Sequence, residues 1–118
     1  MEGKNILPDI QVSEEAQANI NQTVKMVLED FDDDIIKYRQ RFSDVGELSN
    51  FLESKVYEEL EKLLGIKQYR ISTEEYPRDK IRKEIDDQIK NSDGLYELSK
   101  FHKELSSKDE NVPGGIGN

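Results

Sequence analysis

Acidic side chains are the groups in this sequence best able to bind a metal or a charged partner. The stretch LEDFDDDIIKYRQRF, residues 28–42, holds four aspartates within five consecutive positions: Asp30, Asp32, Asp33 and Asp34. Three of them, at alternate positions, match the opening of an EF-hand calcium loop. The match ends there, because Ile35 stands where the loop requires glycine and Arg41 where it requires a bidentate glutamate. We therefore do not expect EF-hand calcium binding.

This aspartate cluster has two remaining interpretations, a docking surface or a solvated face that serves solubility. Each aspartate costs about 0.5 kcal/mol of helix propensity relative to alanine, and glutamate would build an acidic helix face at lower cost. The cost favours a docking surface for a basic protein, to which two apolar residues on the polar side of the helix would add contact. The predicted partner-binding residues are Met26, Asp30, Asp32, Asp33, Asp34 and Ile36.

A second group of acids has the spacing of a metal site. The pairs are Glu58 with Glu61, on the second predicted helix, and Glu84 with Asp87, on the third. Carboxylates three residues apart on facing helices hold divalent metals in helical bundles. This E-x-x-E … E-x-x-D pattern, within residues 55–90, resembles that of the all-α nucleoside triphosphate pyrophosphatases of the MazG type. The resemblance implies that the four acids bind Mg²⁺, which positions and activates a water against the triphosphate.

The sequence departs from that family's pattern in two places. The NSDG stretch at 91–94 interrupts the helix after Asp87, where the family helix usually continues with apolar residues. The same E-x-x-D spacing also occurs at Glu29 and Asp32, in a chain with 26 acidic residues. Mg²⁺ and an enzyme activity therefore belong to this alternative only. The main interpretation is a protein that needs no cofactor and is not an enzyme.

Basic and aromatic residues alternate in the segment KQYRISTEEYPRDKIRK at 67–83, which includes Tyr69 and Tyr76. Such interleaving can bind nucleic acid through phosphate contacts and base stacking. Three acids dilute the charge of the segment, however, and the net charge of the chain is −9, which disfavours direct nucleic-acid binding. We expect the segment to form ion pairs with the acidic first helix, within one chain or across a homodimer.

The negative charge is concentrated in the first half of the chain. Residues 1–61 contain fifteen acidic and six basic side chains, which accounts for the whole net charge of −9, and the remainder is balanced. Such a surface repels nucleic acid and anionic lipid and attracts basic proteins. The chain has no cysteine, no apolar run that approaches a membrane span and no signal-peptide pattern at its start. We expect a cytoplasmic protein without membrane contact.

The first half of the sequence predicts a helical hairpin. Apolar residues at steps of three or four indicate one helix over 13–42, with Ser13 as its N-cap. A second helix starts at Ser43 or Asp44 and stops at Gly65, since glycine is favoured just past a helix end. Only a few residues separate the two helices, which predicts that they pack antiparallel.

Two shorter helices are expected in the second half, after a connection over 65–76 that is the longest in the chain interior. Pro77 fits the first turn of the third helix. Ser92 or Asp93 is predicted to cap the fourth helix, which places His102 at the edge of its apolar stripe or on the surface. The predicted fold class is all-α, a bundle-like four-helix domain made of a long hairpin and two shorter helices. Its parts are a flexible lead-in at 1–12, one domain at 13–107 and a disordered tail at 108–118.

These features together predict a small acidic helical protein that docks on and inhibits a basic protein, such as a nuclease or a nucleic-acid-binding factor. Carboxylates on a rigid helix could occupy a groove that otherwise holds phosphates. Immunity proteins to nuclease toxins and phage-encoded inhibitors work in this general way, which is an analogy of class. A pyrophosphatase-like enzyme is one alternative, and a self-assembling structural component is another. The low apolar content leaves room for a homodimer that buries more of the first helix.

Overall fold

Four α-helices make up the fold. The computed structural model describes residues 12–117, and side chains are described for 12–107. In that range it contains no strand, and its helices are α1 Glu14–Tyr38, α2 Val45–Leu64, α3 Arg78–Asn91 and α4 Tyr96–Gly117. Short 3₁₀ turns are found at Arg39–Arg41, Gln68–Arg70 and Asp93–Leu95. The predicted all-α, bundle-like fold is confirmed.

The start of α1 is fixed by a capping side chain. The Ser13 Oγ accepts a hydrogen bond from the Ala16 N–H at 3.0 Å, and Glu14 and Glu15 lie in the first turn, where negative charge suits the helix dipole. The 3₁₀ turn at Arg39–Arg41 extends the helical path almost to the predicted end. The helix buries one stripe of side chains: Ala16, Ile20, Thr23, Val24, Val27, Leu28, Phe31 and Ile35.

Both ends of α2 follow the sequence prediction. The Glu47 N–H donates to Asp44 Oδ1 at 2.8 Å, and the Ser43 N–H donates to Glu47 Oε1 at 2.9 Å, a reciprocal pairing like that of a capping box. Gly65 ends the helix at φ 71°, a left-handed conformation that disfavours residues with a Cβ. Its N–H donates to the Glu61 carbonyl at 2.9 Å.

The α1 and α2 helices form the predicted antiparallel hairpin. Phe31 and Phe51, whose ring centroids are 5.5 Å apart, join the second half of α1 to the start of α2. Towards the other end of the hairpin, Met26 and Leu63 line the same depression. Full burial of an aliphatic side chain contributes about 1.5–3 kcal/mol. The fully buried residues of α2 are Leu48, Leu52, Val56 and Leu60.

Tyr76 secures the connection between α2 and α3. Its hydroxyl accepts a hydrogen bond from Asn19 Nδ2 at 2.9 Å, and its carbonyl accepts one from the Tyr57 hydroxyl at 2.8 Å. Tyr76 and Ile71 are both buried, so the connection covers part of the core. The α3 helix begins directly after Pro77, one residue later than predicted. Its buried residues are Ile81, Ile85 and Ile89.

The α4 helix packs against the other three helices. Its buried side chains, together with that of the preceding turn, are Leu95, Leu98, Phe101, His102 and Leu105. Of the two positions predicted for His102, the stripe edge is the observed one and the surface is wrong, since the residue is 5 % exposed. Its Nε2 lies 3.4 Å from Asp86 Oδ1 on α3, and a polar contact of this kind lowers the cost of burying an imidazole.

Two predictions concern the ends of the chain, which lie largely outside the residues whose side chains are described. The flexible lead-in at 1–12 falls there except for Val12, which packs partly buried against the core. The disordered tail predicted at 108–118 overlaps the last turns of α4, which ends at Gly117, and it begins after Ser107, the last residue whose side chain is described. Within residues 12–117, no helix combines the length and the apolar character needed to cross a membrane.

Candidate protein-binding groove

The geometry of α1 turns the four clustered aspartates in three directions, since successive residues are about 100° apart around a helix. Asp30 and Asp34, four residues apart, line a groove against α2. Asp33 is exposed on the outer side of the helix, and Asp32 is turned toward α4. One run of sequence thus supplies side chains to three different environments.

Asp32 caps α4. Its Oδ1 accepts a hydrogen bond from the N–H of Leu98, the third residue of that helix, at 3.0 Å. The prediction that Ser92 or Asp93 caps this helix is wrong, because the 3₁₀ turn Asp93–Leu95 separates both residues from its start. Loss of a capping side chain costs about 1 kcal/mol. Asp32 therefore has a structural role, and we leave it out of the candidate site.

The α1–α2 groove has an aromatic floor and an acidic rim. Its volume is about 250 Å³. The floor residues are Val27, Phe31, Tyr38 and Phe51, and the rim residues are Asp30, Asp34, Glu58 and Glu59. The three rings of the floor are in mutual contact, with centroids 5.4, 5.5 and 5.6 Å apart. Lys55 is the one cation among the residues that line this groove.

Lys55 shows how the groove holds a cation. Its Nζ lies 3.8 Å from Glu58 Oε1 and 5.4 Å from the centroid of the Phe51 ring. The Arg41 guanidinium lies in a similar way over the Tyr38 ring, 4.9 Å from its centroid. A cation over an aromatic face gains about 0.5–2 kcal/mol, and more as water is excluded. An incoming lysine or arginine would meet the same two kinds of group, a carboxylate and a ring.

The exposed aspartates of the α1 cluster are not neutralised. Within the described part of the chain, Asp30, Asp33 and Asp34 have no ion-pair partner. Lys37, one turn after Asp33, lies over the Tyr38 ring instead, 5.7 Å from its centroid. Uncompensated carboxylates on a rigid helix create a negative potential that attracts cationic groups.

The two apolar residues predicted at the docking surface lie apart from each other. Met26 is 43 % exposed and lines a depression of about 190 Å³ with Leu63. This depression adjoins the groove, since Glu59 lines both. Ile36 is 76 % exposed and lies about 160° around α1 from Asp34. Met26 is therefore placed to contact a molecule in the groove, whereas Ile36 faces away from it.

The four acids of the alternative metal site do not converge. Glu58 lines the groove, and Glu61 Oε2 accepts a hydrogen bond from the Gln68 N–H at 3.1 Å. Glu84 and Asp87 accept hydrogen bonds from other side chains of α3, at 2.8 and 3.0 Å. Among the residues with described side chains, no three His, Cys, Asp or Glu residues are grouped so that they could hold a metal ion. This arrangement gives no support to the Mg²⁺-dependent alternative.

Sequence reasoning missed Glu53, the most deeply buried acid of the described chain. Its carboxylate accepts hydrogen bonds from Arg78 Nε and Nη2 at 2.8 and 3.0 Å, and Arg82 Nε lies 3.6 Å away. The predicted pairing of segment 67–83 with the first helix is wrong for these two arginines, which join α3 to α2. The available signal was helical spacing, because Glu53 shares its side of α2 with the buried residues.

A cleft with a volume of about 300 Å³, the α2–α3 cleft, lies beside this ion pair. Its lining comes mostly from α2 and from the connection to α3, and it includes Tyr57 and Tyr69. Burial raises the pKa of the Tyr57 phenol above its ordinary value, the nearby charge of Glu53 raises it further, and Arg78 acts in the opposite direction. Hydrogen bonding to the Glu53 carboxylate raises the pKa of the Arg78 guanidinium. The guanidinium therefore stays charged, and the cleft has a fixed cation at its edge.

The chain was compared with known protein families, proteins and structures. No protein-family model, no curated protein and no solved structure matches the chain.

Proposed function

We propose that this protein binds a basic protein through the α1–α2 groove and inhibits it by covering its cationic surface. The observation that supports the proposal is a groove with an aromatic floor and an acidic rim, in which Asp30 and Asp34 have no ion-pair partner within the described chain. A lysine or arginine side chain inserted there would gain a charge-assisted hydrogen bond and a ring contact together.

The class of partner follows from the charge of the groove. Nucleases and nucleic-acid-binding factors expose lysine and arginine side chains that contact phosphates. The carboxylates of Asp30, Asp34 and Glu58, held on two packed helices, could take the place of those phosphates. A partner whose cationic surface is covered by these carboxylates could not bind its nucleic acid, so binding alone would inhibit it. The net charge of −9 would also speed association, in a manner that weakens as salt rises.

A defined cationic probe tests the groove before the partner is known. The full chain would be titrated with a short peptide of lysine and tyrosine, and the backbone amide signals followed by ¹⁵N NMR. Binding in the groove should shift the amides of Val27, Phe51 and Lys55 and leave those of α3 in place. Shifts spread evenly over every acidic stretch would contradict the proposal, because they would indicate attraction without a site.

The partner itself can be sought with two baits in parallel, the wild-type chain and the chain with Asp30→Asn and Asp34→Asn. A specific partner should be captured by the wild type, be released as salt rises, and be lost from the variant. The purified partner should then lose nucleic-acid binding or nuclease activity on addition of the wild-type chain. A basic protein captured equally by both baits would bind outside the groove, and this result would contradict the proposal.

A further inference from the structure

A second exposed surface has chemistry opposite to that of the α1–α2 groove. Residues 65–70 are all exposed and follow α2 directly; we call them the basic turn. Tyr69 is 85 % exposed, and it stands between the cations Lys67 and Arg70. Neither cation has an ion-pair partner within residues 12–107. An exposed aromatic ring beside an exposed arginine is typical of interface hot spots.

The basic turn and the groove are complementary. The turn presents the unpaired charges of Lys67 and Arg70 with an exposed ring, and the groove presents the unpaired charges of Asp30 and Asp34 above rings that are buried or partly buried. A cation and a carboxylate attract each other more strongly as water is excluded between them. Contact between the two surfaces would therefore neutralise both and cover Tyr69.

The basic turn faces away from the groove of its own chain. Tyr69 lines the α2–α3 cleft together with Glu53 and Tyr57. The groove lies on the side of α2 that faces α1, where Phe51 and Glu58 line it. Around the axis of α2, Glu53 and Tyr57 lie about 100–160° from Phe51 and Glu58. A contact between turn and groove therefore requires two copies of the chain.

We infer that two copies of this protein associate, with the basic turn of each copy in the α1–α2 groove of the other. The arrangement is reciprocal, so both contacts form in a two-fold symmetric dimer. The inference rests on the groove invoked in the proposed function and adds regulation to it. A basic partner would have to displace the turn of the second copy, so self-association would lower the apparent affinity for that partner.

Charge reversal at the two surfaces tests this pairing. One variant carries Lys67→Glu with Arg70→Glu, and the other carries Asp30→Lys with Asp34→Lys. Each variant alone opposes like charges at both contacts, so each should sediment as a monomer under conditions in which the wild-type chain sediments as a dimer. Mixed in equal amounts, the two variants have opposite charges at both contacts, and the mixture should form a dimer of one copy of each.

A matched control separates the basic turn from the general effect of charge. Lys100→Glu with Lys103→Glu makes the same change of charge at exposed positions of α4 and should keep the dimer. Circular dichroism of each variant checks that its helices are formed. A wild-type chain that stays monomeric up to about 1 mM, a mixture of reversed variants that stays monomeric, or an equal loss in the control would overturn the inference.

The same experiments distinguish failure of this inference from failure of the proposed function. A monomeric wild-type chain that still binds the lysine–tyrosine peptide in the groove would remove the dimer and leave the proposed function standing. If the mixture of reversed variants forms a dimer but the groove captures no basic protein, the dimer is supported and the proposed external partner is contradicted.

Discussion

Two sets of carboxylates on one helical hairpin have opposite surroundings. Glu53 on α2 is 3 % exposed and accepts two hydrogen bonds from Arg78. Asp30 and Asp34 on α1 are exposed and have no ion-pair partner among the described residues. The buried acid is engaged in holding α3 against α2, whereas the exposed acids leave their charge available to another molecule. Burial and pairing, rather than the number of acids, separate structural carboxylates from candidate binding ones.

The free energies involved explain why the two sets differ. A buried carboxylate without a partner costs several kcal/mol, so Glu53 is compatible with folding only together with a cation. An exposed aspartate costs little on its own. Several exposed carboxylates around one groove repel each other, however, and a bound cation relieves that repulsion. The first arrangement stabilises the folded chain, and the second favours a cationic ligand.

The largest expected effect concerns the buried acid. Glu53→Ala should lower the free energy of unfolding by about 2–3 kcal/mol, because it opens a cavity and removes the hydrogen-bond acceptor of Arg78. Urea denaturation followed by circular dichroism measures this change. Glu58→Ala, at an exposed position of the same helix, should change stability by less than about 0.5 kcal/mol. Equal losses of unfolding free energy in the two variants would contradict the distinction between the buried and the exposed acids.

The second effect concerns the exposed acids of the groove. Asp30→Asn with Asp34→Asn should weaken binding of the lysine–tyrosine peptide about thirtyfold, which corresponds to about 2 kcal/mol, and leave stability within about 0.5 kcal/mol. Calorimetric titration measures the affinity. Glu74→Gln with Glu75→Gln removes the same charge from the exposed connection and should weaken binding less than about threefold. A similar loss of peptide affinity in both double variants would show that general surface charge, and not the groove, attracts the peptide.

Asp32 should behave as a structural residue although it lies inside the aspartate cluster. Asp32→Ala should lower the free energy of unfolding by about 1 kcal/mol, and Asp32→Asn by less, since asparagine keeps an oxygen acceptor for the Leu98 N–H. Neither change should alter peptide binding. The exposed neighbour Asp33, replaced by alanine, is the control for stability. A loss of peptide binding in Asp32→Asn would contradict this prediction and show that Asp32 contributes to the binding surface.

Tyr57 should make stability fall at alkaline pH. Its pKa is raised above the ordinary value of 10.0, mainly by burial, so the unfolded chain loses this proton at a lower pH than the folded chain. Its contribution is therefore complete below about pH 10 and is lost as pH rises through the raised pKa. Tyr57→Phe should cost about 1 kcal/mol near neutral pH, by loss of the bond to the Tyr76 carbonyl, and should make the alkaline decline shallower. Urea denaturation at a series of pH values measures the decline in both chains.

The smallest effect concerns the resident cation of the groove. Lys55→Gln removes the charge that Glu58 and the Phe51 ring now contact, so the lysine–tyrosine peptide should bind about threefold more tightly. Lys100→Gln removes an exposed lysine of α4 that does not line the groove, and it serves as the comparison. Weaker peptide binding by Lys55→Gln than by the unchanged chain would mean that Lys55 takes part in the site rather than competing for it.

Local sequence signals predicted most of the fold. Ser13, Asp44 and Gly65 have the expected roles at the ends of α1 and α2, because capping depends on residues within one turn. The roles of individual acidic residues were harder to predict from the sequence. Helical spacing places Asp32 away from Asp34, but its hydrogen-bond partner is 66 residues away in sequence. Glu53 is separated by 25 residues from Arg78. Such pairings depend on which helices pack together, and spacing along one helix does not contain that information.

The hydrogen bond from the Leu98 N–H to Asp32 has a consequence for the dynamics of the last helix. An amide proton exchanges with solvent deuterium only when its hydrogen bond opens, and helices can open separately from global unfolding. The Leu98 proton is released when α4 leaves α1, whether or not the hairpin of α1 and α2 stays folded. Its exchange rate, compared with that of the buried Leu52 amide in α2, would give the free energy of detaching α4 alone. One backbone amide thus distinguishes local opening of the fourth helix from unfolding of the whole domain.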